Sequence, residues 1–295
     1  CFDLPTPTYR HEAYEGYKAK RPKMEEALAS QINRSRDVFK AFGIPLYEKA
    51  GFEADDLLGT IVERLKDRNL DSIIASGDMD ALQLVRDSPR GESVSVYTLK
   101  KGINDTILYD EKGVKARFGF SPEKLTDYKG LRGDPSDNII GVPGIGEKTA
   151  TELILKFGTI ENMYEILKKG DRAFIDAGFK ERIVALLREH EEGARFSKML
   201  ATIKRDVPME FSLPEQPWRQ RVSLPAILDL FTELSFRTLG ERAKTVFQTK
   251  EQESLKNGEK AEVSVWENVA PRRLAEAGIA LWLLDSTVTA PSLQD

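Results

Sequence analysis

The feature that most constrains this chain is a short apolar run, Ser72-Ile73-Ile74-Ala75-Ser76, set between two stretches of helical character. Before it, residues 53–70 place Leu57, Leu58, Ile61, Val62 and Leu65 at helical spacing, which gives one buried face. After it, Gly77 and Asp78 end the run, and residues 81–85 open another helix. So short an apolar run reads as a buried strand, and helix–strand–helix order implies a parallel sheet in an α/β domain. Residues 93–99 and 106–109 read as two more strands, joined through 100–105 as a hairpin at the sheet edge.

Beyond residue 121 the pattern turns helical. Ser121-Pro122-Glu123 is an N-cap with Pro at the first helical position. Helices are predicted near 147–157, 159–168, 179–203 and 224–243, and residues 133–146 form a loop dense in Gly, Pro, Asp and Asn. Residues 248–262 are mostly polar and read as a linker. Residues 263–295 open a new segment in which 279–284 is a strand. That last run is the longest apolar one, far short of the roughly 20 residues of a membrane span. The N-terminus has neither the basic start nor the long apolar stretch of a signal peptide. The expected setting is soluble and cytoplasmic.

A length of 295 residues predicts about two domains. With one Cys and two His, a Cys-rich or His-built metal centre is excluded, so any metal must be held by carboxylates. The net charge of −4 argues weakly against a wholesale nucleic-acid coat and leaves a local basic face open. What matters is where the acids fall. Glu53, Asp55 and Asp56 open the first helix. Asp78 and Asp80 follow the strand, where sites form in parallel sheets. Asp134 and Asp137 sit on the Gly-Asp-Pro-Ser-Asp-Asn loop, and Asp3 marks another potential strand end. Singly these are helix-capping or turn residues. Together, residues 53–80 carry eight acids against three bases, an excess that a cation would relieve. Carboxylates suit Mg²⁺ or Mn²⁺, and two such ions about 4 Å apart support phosphodiester cleavage.

Gly141-Val142-Pro143-Gly144-Ile145-Gly146-Glu147-Lys148-Thr149-Ala150 leads into a helix and resembles a helix–hairpin–helix turn. Its glycines let backbone N–H groups face a phosphate at a helix N-terminus, with Lys148 adding charge. Such a contact reads no bases and predicts salt-dependent, sequence-independent binding. A Walker-type loop has the same glycine spacing, but Glu147 stands where its Lys belongs.

Three stretches, Gly51-Phe52-Glu53-Ala54-Asp55-Asp56, Ser76-Gly77-Asp78-Met79-Asp80-Ala81-Leu82-Gln83-Leu84 and Leu131-Arg132-Gly133-Asp134-Pro135-Ser136-Asp137-Asn138, occur in this order with 141–150. Over residues 1–247 the chain resembles the 5′–3′ exonuclease (flap endonuclease) domain of bacterial DNA polymerase I. The resemblance implies a PIN-like, resolvase-like parallel sheet core with a helical gateway over 1–120. A helix–hairpin–helix region over 121–247 follows. Residues 263–295 resemble the start of a ribonuclease H-like proofreading domain, degenerate because Thr287 occupies its Glu position.

The resemblance further implies cleavage of 5′ flaps and RNA primers at duplex junctions. Two Mg²⁺ or Mn²⁺ ions are implied, held by Glu53, Asp55, Asp56, Asp78, Asp80, Asp134 and Asp137. Asp3, Lys18 and Arg21 are implied near the reacting phosphate. Arg10, Lys129, Gly144, Gly146, Lys148 and Thr149 are implied on DNA, with K⁺ at the hairpin. The implied setting is a monomeric unit covalently linked to a polymerase in the bacterial nucleoid. The family begins with a strand ending in Asp-Gly-Asn. This chain starts after that strand and has no initiating Met, so a fragment is expected. Two alternatives stay open: a structure-selective DNA-binding module without cleavage, and a PIN-like RNA nuclease.

Overall fold

The computed structural model describes residues 1–89, 91–99 and 105–256. In chain order come α1 (Tyr9–Ala13), α2 (Glu26–Ala41), α3 (Ala54–Arg64), β1 (Ser72–Ala75), β2 (Val94–Leu99), β3 (Thr106–Tyr109) and α4 (Glu111–Phe118). They are followed by α5 (Leu125–Arg132), α6 (Glu147–Phe157), α7 (Ile160–Lys169), α8 (Arg172–Asp176), α9 (Glu181–Glu189) and α10 (Glu191–Ala201). The C-terminal helices are α11 (Trp218–Arg221), α12 (Leu224–Glu233) and α13 (Arg237–Lys256). Short 3-10 turns occupy Met79–Leu84 and Pro122–Lys124.

The described residues form two compact units. The first holds residues 1–23, 47–99 and 106–211; the second holds 24–46 and the chain from 212. In the first unit β1 pairs with β2 in parallel, Ser72 opposite Val94, and β2 pairs with β3 antiparallel, Val96 opposite Tyr109. The sheet is therefore mixed, because the edge hairpin joins the parallel pair. Ile74, Val94 and Val96 are buried in a core that also takes in Val62, Leu82 and Leu131, and continues through Val142, Ile145, Leu153 and Ile160. Sheet and glycine hairpin thus share one apolar core. Buried Asp127 fastens it by accepting from Ile160 N–H (2.8 Å) and Lys198 Nζ (2.6 Å).

Several local expectations change. The strand at 72–76 is not buried throughout, since Ile73 is 45% exposed. The stretch after it is a 3-10 turn, because Asp78 Oδ1 accepts from Asp80 N–H and closes it tightly. Asp3 ends no strand: Phe2 N–H bonds the Tyr47 carbonyl, and the Asp3 carboxylate accepts from Ala54 N–H at 2.7 Å. The helix predicted over 179–203 divides at His190, and that over 224–243 divides around Ser235, which has a φ of 61°. The helix α13 runs to Lys256, through the first part of the stretch read as a linker, as its Gln, Lys and Glu residues favour. The connection 100–104, residues 257–262 and the whole segment 263–295 lie outside the described residues.

The second unit packs Phe42, Ile227, Phe231, Leu239 and Ala243, and Trp218 Nε1 donates to the Phe42 carbonyl at 2.6 Å. Residues 24–46 belong here, so the segment 1–120, expected to hold core and gateway together, divides between the units.

In the first unit α5 and α10 approach closely at Gly130, where a Cβ would lie 2.6 Å from Ile160 Cδ1 and 3.0 Å from the Ala194 carbonyl. Gly130→Ala is expected to destabilise the protein by about 1–3 kcal/mol through overpacking, read as a lower urea midpoint at unchanged m-value.

Candidate functional site

The first turn of α3 sends its two aspartates in different directions. Asp56 is fully buried and forms a bidentate pair with Arg10, Nη1 to Oδ2 at 2.8 Å and Nη2 to Oδ1 at 2.9 Å. It also accepts from the backbone N–H of Glu53 and Lys204. In this structure both Asp56 oxygens are therefore engaged by an arginine. Arg10 is 3% exposed and sits in the core instead of on a DNA-facing surface. Both depart from the roles expected above, for one reason: each satisfies the other's buried charge.

Asp55 turns the other way. Burial comes first in raising its carboxyl, and the charges of Asp78, Asp80, Asp3 and Glu53 add to it, pushing the pKa from 3.8 up to about 7. Those acids converge from separate elements: Asp3 from the N-terminal segment, Asp55 from α3, and Asp78 and Asp80 from the turn after β1. Asp134 joins through Lys129, whose Nζ donates to Asp134 Oδ2 at 2.7 Å and to Asp80. Burial favours a higher Asp134 pKa, but the Lys129 ammonium and the Ser136 hydrogen bonds outweigh it and hold it at about 2. For Asp80, burial outweighs Lys129 and the shift is upward.

Glu53 and Asp137 form a second group with bases. Lys18 Nζ donates to Glu53 Oε1 at 2.7 Å and lies 3.9 Å from Asp137. Arg21 donates to Asp137 at 2.5 Å. The buried Tyr17 hydroxyl lies 3.1 Å from both carboxylates. The expected pair Asp134 and Asp137 is thus split between two sets of partners. Among the described residues no three His, Cys, Asp or Glu side chains close around a single ion position. The donor chemistry still fits a hard divalent cation, since Asp55 has no cationic partner among the described residues and its mutual repulsion with Asp3, Asp78 and Asp80 is what such an ion would relieve.

The glycine hairpin stands on the same core. Gly133 and Gly141 take φ of 77° and 68°, and their backbones pack so closely that a Cβ on Gly133 would meet the Ile139 carbonyl at 2.5 Å. Gly141 N–H bonds Ser197 Oγ, and Val142 and Ile145 anchor the turn. Gly144, Gly146 and Lys148 are exposed, with Thr149 half-buried. Gly146 caps α6 without a side chain, leaving first-turn N–H groups free for an anion. Lys129 is not at this hairpin; it lies among the carboxylates.

Sequence reasoning missed three participants. Tyr17 joins Glu53 to Asp137, Ser136 fixes Asp134, and exposed Arg182 from α9 lies 3.8 Å from the Cβ position of Gly144. Ser136 lies within the 133–138 motif but carries no charge to single it out, whereas Arg182 reaches the hairpin from a distant helix.

Residues 1–119 match the model described as the 5′–3′ exonuclease N-terminal resolvase-like domain, and residues 120–222 match the 5′–3′ exonuclease C-terminal SAM fold. The chain belongs to the 5′–3′ exonuclease family. Its sequence is similar to DNA polymerase I of Bacillus caldotenax, 40% identical over 245 residues that make up 83% of this chain and 26% of that protein. DNA polymerase I of Chloroflexus aurantiacus is 40% identical over 233 residues, 78% of this chain and 23% of the relative. The chain spans about a quarter of the length of these relatives. In fold it is similar to a bacteriophage T5 protein co-crystallised with metal ions, at a TM-score of 0.54, 21% identity and 83% coverage of both chains. It is equally similar to the bacteriophage T5 flap endonuclease in a pseudo-enzyme–product complex with DNA and metal ions, at a TM-score of 0.54, 21% identity and coverage of 84% and 82%. No described helix is long and apolar enough to cross a membrane.

The raised Asp55 carboxyl has a consequence for stability. The folded pKa lies above the ordinary value, so ionising Asp55 costs stability, fully so above pH 7 and not below pH 4. In EDTA, Asp55→Asn is expected to stabilise the protein by on the order of 2 kcal/mol at pH 8. The gain should vanish as the pH falls through about 4, as thermal melts across that range will show.

Proposed function

We propose that this chain is the phosphodiester-cleaving unit of a longer DNA polymerase I-like protein, removing 5′ flaps and RNA primers at duplex junctions. The observation that carries this is the convergence of Asp3, Asp55, Asp78 and Asp80 with no cation on Asp55 among the described residues, in the same unit as an exposed glycine hairpin. Asp55, Asp78, Asp80 and Asp134 would hold divalent ions, Mg²⁺ or Mn²⁺, which supply an activated water and neutralise the leaving oxygen. K⁺ at the hairpin belongs to the same proposal.

The chain's own residues position the substrate. Exposed N–H groups at the start of α6, with Lys148, take a phosphate of the duplex without reading bases. Lys18 and Arg21, held over Glu53 and Asp137, present cations to the phosphate that approaches the acids. Phosphoryl transfer is largely positioning and charge neutralisation, so no protein nucleophile is required. The open spacing of the carboxylates favours a second reading, a junction-binding module that does not cut.

A labelled 5′-flap duplex separates the two. Mg²⁺-dependent product, abolished by EDTA and lowered at least about a hundredfold by Asp78→Ala, is expected. Undiminished cutting by Asp78→Ala would sink the assignment, and flap binding with no metal-dependent product would select the module. Lys148→Ala is expected to weaken duplex binding equally for all sequences, and to reduce the slope of log K against log salt by about 0.9. A fluorescence-anisotropy salt series measures this.

A further inference from the structure

We propose that Lys129 is a resident counter-ion of the carboxylate cluster: its ammonium holds oxygens of Asp80 and Asp134 that a divalent cation needs, and metal binding displaces it. The proposal rests on the metal-site reading above and adds a residue that opposes loading.

The geometry is specific. Lys129 lies on α5, whose last turn is closed by Gly133 N–H bonding the Lys129 carbonyl at 2.8 Å. The chain then reverses through Gly133, so Asp134 comes back beside the lysine that precedes it by five residues. Asp134 Oδ2 accepts from Lys129 Nζ, and Oδ1 accepts from Ser136 N–H (2.9 Å) and Ser136 Oγ (2.6 Å). Both oxygens of Asp134 are therefore engaged, and it cannot ligate a cation fully until one partner leaves. Ser136 is tied to Asp134 by a local turn two residues long. Lys129 is tied by a four-carbon stem with three rotatable donors, which makes it the mobile partner.

Charge points the same way. Among the described residues Asp80 and Asp134 share the Lys129 ammonium, Asp3 interacts with the Cys1 N-terminal ammonium, and no ion pair reaches Asp55 or Asp78. The Lys129 side chain is 15% exposed, so its charge acts on these acids with little screening by water. Among the described residues, a single monovalent charge shared between Asp80 and Asp134 leaves Asp55 without an ion pair. A divalent ion meets more of the deficit, but it must share oxygens with, or evict, the ammonium.

The test is Mn²⁺ titration of the chain without DNA, followed by calorimetry and electron paramagnetic resonance. Lys129→Met should bind Mn²⁺ about tenfold more tightly than wild type, while melting lower in EDTA. Lys129→Arg, which keeps the charge, should bind no more tightly than wild type. In the unaltered protein, reductive methylation of Lys129, read by mass spectrometry, should be slow in EDTA and several-fold faster in saturating Mg²⁺. Asp55→Asn separates the two levels of the argument. If it weakens Mn²⁺ binding while Lys129→Met changes nothing and methylation is metal-independent, the counter-ion role is wrong and the metal site stands. If neither wild type nor Lys129→Met takes up Mn²⁺, both fall. Binding by Lys129→Met alone would support the proposal in its strongest form. Should that variant not fold, the methylation rates in wild type decide.

Discussion

The site depends on the ion pair between Arg10 and Asp56. Arg10 also donates to the carbonyls of Leu200 (2.8 Å) and Thr202 (2.8 Å), while Asp56 accepts from Lys204 N–H (2.8 Å). One guanidinium and one carboxylate thus join the N-terminal helix, the start of α3 and the end of α10. A buried pair of this kind adds little net stability over apolar packing, but losing one partner strands a charge at a cost of about 3–5 kcal/mol. Its value lies in direction. With Asp56 pinned inward, the helical turn leaves its neighbour Asp55 pointed toward Asp3, Asp78 and Asp80.

Around that fixed point the charges are sorted. Asp56 has Arg10, Glu53 and Asp137 have Lys18 and Arg21, and Asp80 and Asp134 have Lys129. Asp55 is left with acids. An evenly neutralised surface would have no reason to attract a cation. Here local compensation at five carboxylates leaves a deficit concentrated at one spot. Tyr17 supports the sorting: burial, then Glu53 and Asp137, push its hydroxyl well above the usual tyrosine range, so it stays a neutral donor between two acids.

The elements that rest on local periodicity were legible in the sequence. The helical face of 53–65, the strands and the glycine hairpin follow from spacing within a few residues, and the acids were found by their position at strand and helix ends. The contacts that spacing does not reveal depend on distant chain. Nothing near Asp56 announces an arginine 46 residues away, so it looked like any other acid of the first turn. Lys129 could be placed near the hairpin by its position in the chain, but not between two carboxylates. The break at His190 and the turn at Ser235, where φ is 61°, are likewise not marked by the helical spacing on either side. Polarity alone does not distinguish an irregular stretch from a helix, and α13 continues to Lys256 through the first part of 248–262.

The glycine hairpin has a consequence for how this protein can be studied. Its buried side chains, Val142 and Ile145, hold the turn, while the groups left free at the start of α6 are main-chain amides. Alanine scanning removes atoms beyond Cβ and leaves such amides in place. A scan of residues 141–149 would therefore register the anchors as important for folding, would detect Lys148, and would pass over the donors themselves. Replacing single amides by esters, which deletes one N–H and nothing else, is the chemistry that makes this surface visible.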